Sequence, residues 1–304
     1  MPEAIVIDHL RAVNINACSG AHIIGFPGPA TLSGFVHALE RTHFRPQGRR
    51  HTGTIVVSHD FSLNLGRAKH PVTDPAAVAQ GKMTASILDE KQANATASLV
   101  ILLASQPGED DPAEIGAAMA EDLAAVLPGT RFAGGSIVSR PVVRWMTADT
   151  RLDLVTRALS ALRGRVGQVL ADRGELLGPT DEGDARDPLD RLLDALAAFP
   201  VVSEDETGAR RRVGHARREN GWIVPVNVGL RLIEEPKRRD GVRHLDDGAV
   251  PRHAFAEDAL SLAEWRSLRS ILRRLREGEL EERIVWSPLR RKGRCFLAEG
   301  RVPA

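Results

Sequence analysis

The pattern of apolar and polar positions changes period several times along the chain. "AIVIDHLRAVNIN" (Ala4–Asn16) is β-branched and alternating, which predicts a strand. "GFPGPATLSGFVHAL" (Gly25–Leu39) opens as a turn, with three glycines and two prolines in ten residues. Leu32, Phe35, Val36 and Leu39 then fall at i, i+3, i+4 and i+7, so a helix with one buried face is expected from about Pro29 to His43. "TGTIVVSHDFSLNL" (Thr52–Leu65) predicts a second strand. "ASLVILLAS" (Ala97–Ser105) is a continuous apolar run, as in a strand buried on both faces. "DDPAEIGAAMAEDLAAVLPG" (Asp110–Gly129) predicts a helix with Asp111 as N-cap, Pro112 at N1, Glu114 at N3 and Pro128-Gly129 as its stop. Ile115, Met119, Leu123 and Val126 form its expected buried stripe. "RFAGGSIVSRPVV" (Arg131–Val143) reads as a strand opened by a glycine pair.

The order β-α-β-β-α-β is that of a ferredoxin-like α+β domain. It predicts a four-stranded antiparallel sheet with two helices on one face and the other face open, a surface that commonly takes single-stranded RNA. The fold serves many functions and decides none. Strands two and three are separated by the polar segment Gly66–Asn94. Connections of that length are usually functional or disordered.

Beyond the first 149 residues the pattern is less regular. Thr150–Leu176 and Asp187–Phe199 both predict helices, joined by an acidic linker, so residues 150–200 read as a helical insertion. Residues 201–304 read as a strand-and-helix region on the same core. Within it, Ser203–Asn220 is a charged loop, Gly221–Ile233 a strand with Pro225 marking an edge or bulge, and Glu235–Pro251 basic and irregular. His253–Gly278 predicts a helix with an Arg-rich tail, and Arg283–Gly300 two short strands around a basic turn.

Composition adds three constraints. The 304 residues are 42% hydrophobic and 27% charged, as in a globular chain with a sizeable core. The net charge of +1 conceals an asymmetry: residues 201–304 carry 22 Lys/Arg against 17 Asp/Glu, and the first 200 carry 19 against 23. Cys18 and Cys295 alone provide neither a disulfide framework nor a zinc site, which fits a reducing cytoplasm. No apolar run approaches the roughly 20 residues that span a bilayer, and the first residues do not show the charged n-region and apolar h-region expected of a signal peptide.

The chemical motifs are mostly negative. No GxxxxGK[ST] or GxGxxG accompanies the Gly25–Gly28 turn, so a nucleotide site is not indicated. Exposed backbone N–H groups at a helix start still attract phosphate. No HxxxH or HExxH spacing points to a metal. "AGGSI" (Ala133–Ile137) has no His–Asp partner. Its glycines suit either close approach to a sugar-phosphate, with Ser136 as a donor, or plain strand-start geometry. Arg49-Arg50, Arg210–Arg212, Arg217-Arg218, Lys237–Arg239, Arg273-Arg274 and Arg290–Lys292 recur in segments that read as loops or helix ends. Each alone suits a solvated surface; together they suit an anionic partner.

Four blocks carry a family resemblance: "NINACSGAHIIGFPGPATLSGFVHALER", "RFAGGSIV", "GWIVPVNVGL" and "FAEDALSLAEW". They are similar, in this order, to the Csy-two family, the Cas-five-like RAMP subunit of type I-F CRISPR surveillance (Cascade-like) complexes. The segment after "GWIVP" departs from the family, and the Arg-rich last third is least like it.

The resemblance implies a non-catalytic antiviral subunit in a prokaryotic cytoplasm. It would bind the 5′ handle of CRISPR RNA, pair with a large Csy-one-type subunit and adjoin a Csy-three-type backbone subunit, with target DNA nearby. It would use no cofactor and no metal. Gly66–Asn94 would correspond to the family's thumb, with Lys69, His70, Lys82 and Met83 against RNA. The other expected RNA-binding residues are Asn14, Asn16, Gly25, Phe26, Pro27, Gly28, His37, Gly134, Gly135, Ser136, Arg140 and Trp222. Two alternatives stay open. One is a metal-independent endoribonuclease using His22 or His37 as general base. The other is a protein-only scaffold docking through Thr150–Phe199.

Overall fold

The computed structural model describes residues 1–20, 23–64, 80, 91–105, 112–162, 164, 166–179, 186–204, 210–217, 221–239 and 253–303. Strand β1 (Glu3–Asn16) leads through the short pair β2 (Cys18–Gly20) and β3 (Ile23–Ile24) into helix α1 (Pro29–Leu39). Strand β4 (Arg49–Leu63) returns, β5 (Gln92–Ser105) follows, and helix α2 (Pro112–Val126) precedes β6 (Arg131–Phe132), β7 (Gly135–Ile137) and β8 (Val142–Thr147). β1 pairs antiparallel with β5 on one side and with β7 and β8 on the other, and β5 pairs with β4.

The second half extends the same sheet. Helix α3 (Arg151–Ser160) leads to β9 (Gln168–Asp172), and helix α4 (Pro188–Leu196) to the hairpin β10 (Ala198–Glu204) and β11 (Arg210–Arg217). β12 (Ile223–Leu232) and β13 (Ala256–Ser267) pair antiparallel, and β13 runs into helix α5 (Leu268–Glu277). Four short strands close the chain: β14 (Val285–Trp286), β15 (Arg290–Lys292), β16 (Cys295–Leu297) and β17 (Gly300–Arg301). The main order is β15-β16-β12-β13-β9-β4-β5-β1-β7-β6. No helix among the described residues is long and apolar enough to cross a membrane.

Consecutive residues of β1 are buried because both faces of the sheet are covered. Ile5 and Ile7 pack with Val56, Leu99 and Ile101 under Leu32, Val36 and Leu39 of α1 and Met119 and Leu123 of α2. Ala4 and Val6 pack with Ile55, Val57, Val100 and Leu102 under Leu154, Val155 and Leu159 of α3 and Leu268, Ile271 and Leu272 of α5. The second face is therefore not the open platform expected from the minimal β-α-β-β-α-β pattern. Apolar stripes in the later residues roof it.

Several expected elements are corrected. The helix expected over Thr150–Leu176 ends at Ser160, and Gln168–Asp172 is a strand between β4 and β13. Val169, Leu170 and Ala171 are buried there, with Gly164 (φ 67°) and Gly167 (φ 151°) in the turn before them. The helix expected over His253–Gly278 begins only at Leu268. Ala256–Ser267 has helix-favouring Ala, Leu and Glu, yet pairs with β12 and β9. Tertiary pairing overrides local preference there. The charged loop expected at Ser203–Asn220 contributes to a hairpin, and the Arg283–Gly300 segment yields four strands instead of two. In α2, Leu127 rather than Val126 completes the stripe; Val126 is 38% exposed. Arg49, expected on the surface, is buried at the start of β4, where its Nε donates to Glu3 Oε2 at 3.4 Å and its Nη1 to Gln47 O at 2.6 Å.

Candidate nucleic-acid interface

The corner between β3 and α1 explains part of its own glycine and proline content. Gly28 is the extended N-cap and Pro29 occupies the first turn, where its missing N–H costs nothing. A Cβ on Gly28 would stand 2.7 Å from Asn227 O and 3.1 Å from Asn227 N on β12. Close packing on β12 thus requires glycine there, and Pro27 and Gly28 are buried. The Gly25 N–H donates to Ala17 O at 2.9 Å. Pro27 and Pro29 have no N–H, so the corner offers fewer donors than its glycines suggest. Gly25 itself faces open space.

Phe26 leaves this corner and meets Phe61 of β4 and Trp265 of β13 edge-to-face, with centroids 5.8 and 5.3 Å away. With Trp222, which is 70% exposed, these rings line a cleft of about 420 Å³. Ser58 and Gln168 supply polar side chains, and among the described residues no charged side chain lines it. Three expected residues, Gly25, Phe26 and Trp222, meet here although some 200 positions separate them in sequence. Phe61, Trp265, Ser58 and Gln168 were not anticipated. They sit on strands whose pairing, not spacing, brings them together.

The "AGGSI" block resolves into a hairpin. Arg131 pairs with Ser136 and Phe132 with Gly135, leaving Ala133 (φ 48°) and Gly134 (φ 81°) as a two-residue turn with both φ positive. A Cβ on Gly135 would lie 2.5 Å from Val13 O and 2.6 Å from Ile15 N, so β7 can approach β1 only with glycine there. Asn16 N donates to Ala133 O at 2.8 Å, which ties this turn to the end of β1. Ser136 and Arg140 are exposed beside it.

Asn14, in a left-handed conformation at φ 54°, belongs to a chain of amides. Asn14 N donates to Asn94 Oδ1 at 3.2 Å, Asn94 Nδ2 to Asn64 Oδ1 at 3.0 Å, and Asn64 Nδ2 to Asn14 Oδ1 at 3.1 Å. These amides bind the ends of β1, β4 and β5 where the Gly66–Asn94 connection leaves and returns. Asn64 and Asn94 were missed by sequence reasoning; Asn64 stands at the end of a predicted strand, whereas Asn94 precedes the strand expected from Ala97 and joins it only because β5 begins at Gln92. Lys69, His70, Lys82, Met83 and His22 lie outside the described residues. His37 is exposed on α1, 3.6 Å from Glu40, which also binds Arg45 Nε at 3.2 Å.

A second polar group was not foreseen. Irregular register in β1 and β4 places Asp8, His9 and His59 around Ser98 of β5. His9 Nδ1 lies 2.7 Å from Asp8 Oδ1, and Arg144 Nη1 donates to Asp8 Oδ2 at 3.2 Å. The Ser98 hydroxyl sits 3.2 Å from Asp8 Oδ1 and 2.7 Å from His59 Nε2. Burial acts to raise the Asp8 carboxyl, but the bonds from His9, Arg144 and Ser98 leave it below its usual range. Burial lowers His59, partly opposed by its bond to Val166 O. Asp8, His9 and His59 are close enough to share a metal ion. As placed, however, the imidazoles stack at 4.0 Å and 14°, so their in-plane lone pairs do not converge.

The arrangement is that of an α+β chain with aromatic and amide-rich surfaces at the ends of one sheet. Comparison with known proteins then gives the family. The family model described as CRISPR-associated protein (Cas_Csy2) matches residues 5–293, and the chain belongs to that family. It is also 26% identical, over 290 aligned residues covering 88% of each chain, to "CRISPR-associated protein Csy2" of Pseudomonas aeruginosa (strain UCBPP-PA14).

Proposed function

We propose that this chain is a non-catalytic subunit of a type I-F CRISPR RNA-guided surveillance complex and that it holds the 5′ handle of the CRISPR RNA. Membership of the Csy2 family across residues 5–293 carries the proposal. The spatial order β8–β1–β5–β4, with α1 and α2 on one face, supports the ferredoxin-like reading of the first 149 residues. The aromatic cleft supports RNA contact: Phe26, Phe61, Trp222 and Trp265 offer faces and edges to an unstacked base, and Ser58 and Gln168 offer hydrogen bonds to its edge. Phosphates would lie at the mouth of this cleft by Gly25, and at the Ala133–Ser136 turn and Arg140. The amide chain at Asn14 would set the base of a thumb formed by the 66–94 connection, whose last three residues already belong to β5, and Lys69, His70, Lys82 and Met83 would press on the RNA. Its protein neighbours would be a large Csy-one-type subunit and a Csy-three-type backbone subunit.

Co-expression with the large subunit tests this. The pair is expected to retain handle-bearing RNA with an affinity that falls as salt rises. Equal affinity for RNA lacking the handle, or binding indifferent to salt, overturns the proposal.

A further inference from the structure

Helix α5 lies on the face of the sheet opposite α1 and α2. It buries Leu268, Ile271, Leu272 and Leu275 and turns Arg269, Arg273 and Arg276 outward, all three exposed. Their i, i+4, i+7 spacing makes a row about 10 Å long at 1.5 Å per residue. Arg269–Arg273 and Arg273–Arg276 are like-charged neighbours, a pairing that disfavours a helix. The C-terminal end of the macrodipole favours Arg273 and Arg276, but Arg269 stands in the first turn, where a cation is disfavoured. Arg274, on another side, pairs with Glu282. Among the described residues neither Arg269 nor Arg273 has a carboxylate partner, and Arg276 reaches only the Ser160 hydroxyl at 3.3 Å. The row borders a cavity of about 850 Å³ with Ser267, Ser270 and Val166; among the described residues Glu277 is the single carboxylate there and no aromatic side chain lines it.

A polyanion complements this surface, and its chemistry selects the kind. Unpaired strands are held by aromatic stacking as well as charge. The row has no aromatic, whereas the aromatic cleft lies on the other face. A duplex presents stiff ridges of phosphate, about one charge per 1.7 Å of axis, and needs only cations at fixed spacing. We propose that Arg269, Arg273 and Arg276 bind the phosphate backbone of a nucleic-acid duplex, without reading sequence.

The full-length chain, alone and in its RNA-bearing complex, can be titrated with a labelled DNA duplex of arbitrary sequence at increasing KCl. The R269Q/R273Q/R276Q variant is expected to flatten the slope of log K against log salt by about 2.7, three contacts at roughly 0.9 each, and to weaken binding about 10- to 100-fold at low salt. The triple Arg→Lys variant should keep most of the slope, and neither variant should lower the melting temperature. An unchanged slope and affinity overturns the proposal. So does an equal loss for an unpaired oligonucleotide of the same length. Loss of the handle RNA would assign the row to the RNA site, and failed assembly would assign it to a protein interface; either result also overturns it.

Discussion

The two faces of the sheet are closed by similar packing but display different chemistry. On one, α1 and α2 cover Ile5, Ile7 and Leu99, and the adjoining cleft is aromatic, with no charged side chain among the described residues. On the other, α3 and α5 cover Ala4, Val6 and Val100, and the outer surface carries a row of guanidiniums. A sheet roofed on both sides leaves no flat platform for bases. On the two proposals above, recognition would fall to the rim of one layer and to the helix surface of the other, so stacking and charge would be separable.

The largest effects should come from breaking either roof. Leu123→Ala in α2 and Leu272→Ala in α5 are each expected to cost about 2–5 kcal/mol in chemical denaturation. A cost under about 1 kcal/mol for Leu272→Ala alone would mean that the second face is effectively open. Acid should sharpen the picture beside α1. His51 is buried with its Nε2 2.8 Å from Thr54 Oγ1, and burial lowers it from 6.5 to about 4. The unfolded chain binds that proton first, so stability falls as pH drops from about 6.5 toward 4, by roughly 3 kcal/mol in all. The difference between wild type and His51→Gln, measured across that range, should show this slope, and parallel curves would contradict it. Smaller still, Gly135→Ala should cost about 1–3 kcal/mol by forcing β7 from β1, while Gly25→Ala, facing open space, should leave the melting temperature unchanged.

The sequence shows the first layer better than the second for a physical reason. α1 and α2 bury stripes near a period of 3.6 and each opens on a proline, and β1 announces itself by its β-branched residues. β13 does not announce itself. Its Ala, Leu and Glu favour a helix, and only pairing with β12 and β9 makes "AEDALSLAEWRS" extended. The roof over the second face was hidden with it, because α5 begins where that strand ends. The site divides the same way. Gly25, Phe26 and Trp222 were legible from motifs, but Phe61, Trp265 and Gln168 join them only through strand order. Gly28 and Gly135 were legible as special positions; the structure assigns both to close backbone approach.

On the proposed function, RNA contacts the α1 side of the molecule, at the aromatic cleft and at the β6–β7 turn. Photo-crosslinking of the assembled complex, followed by mass spectrometry of the RNA-bearing peptides, tests it directly. Adducts should fall on peptides containing Phe26, Ser136 or Trp222 and should weaken in Trp222→Ala, a substitution expected to cost about 1–3 kcal/mol of RNA affinity. Adducts confined to α5, or none on this chain at all, would contradict it.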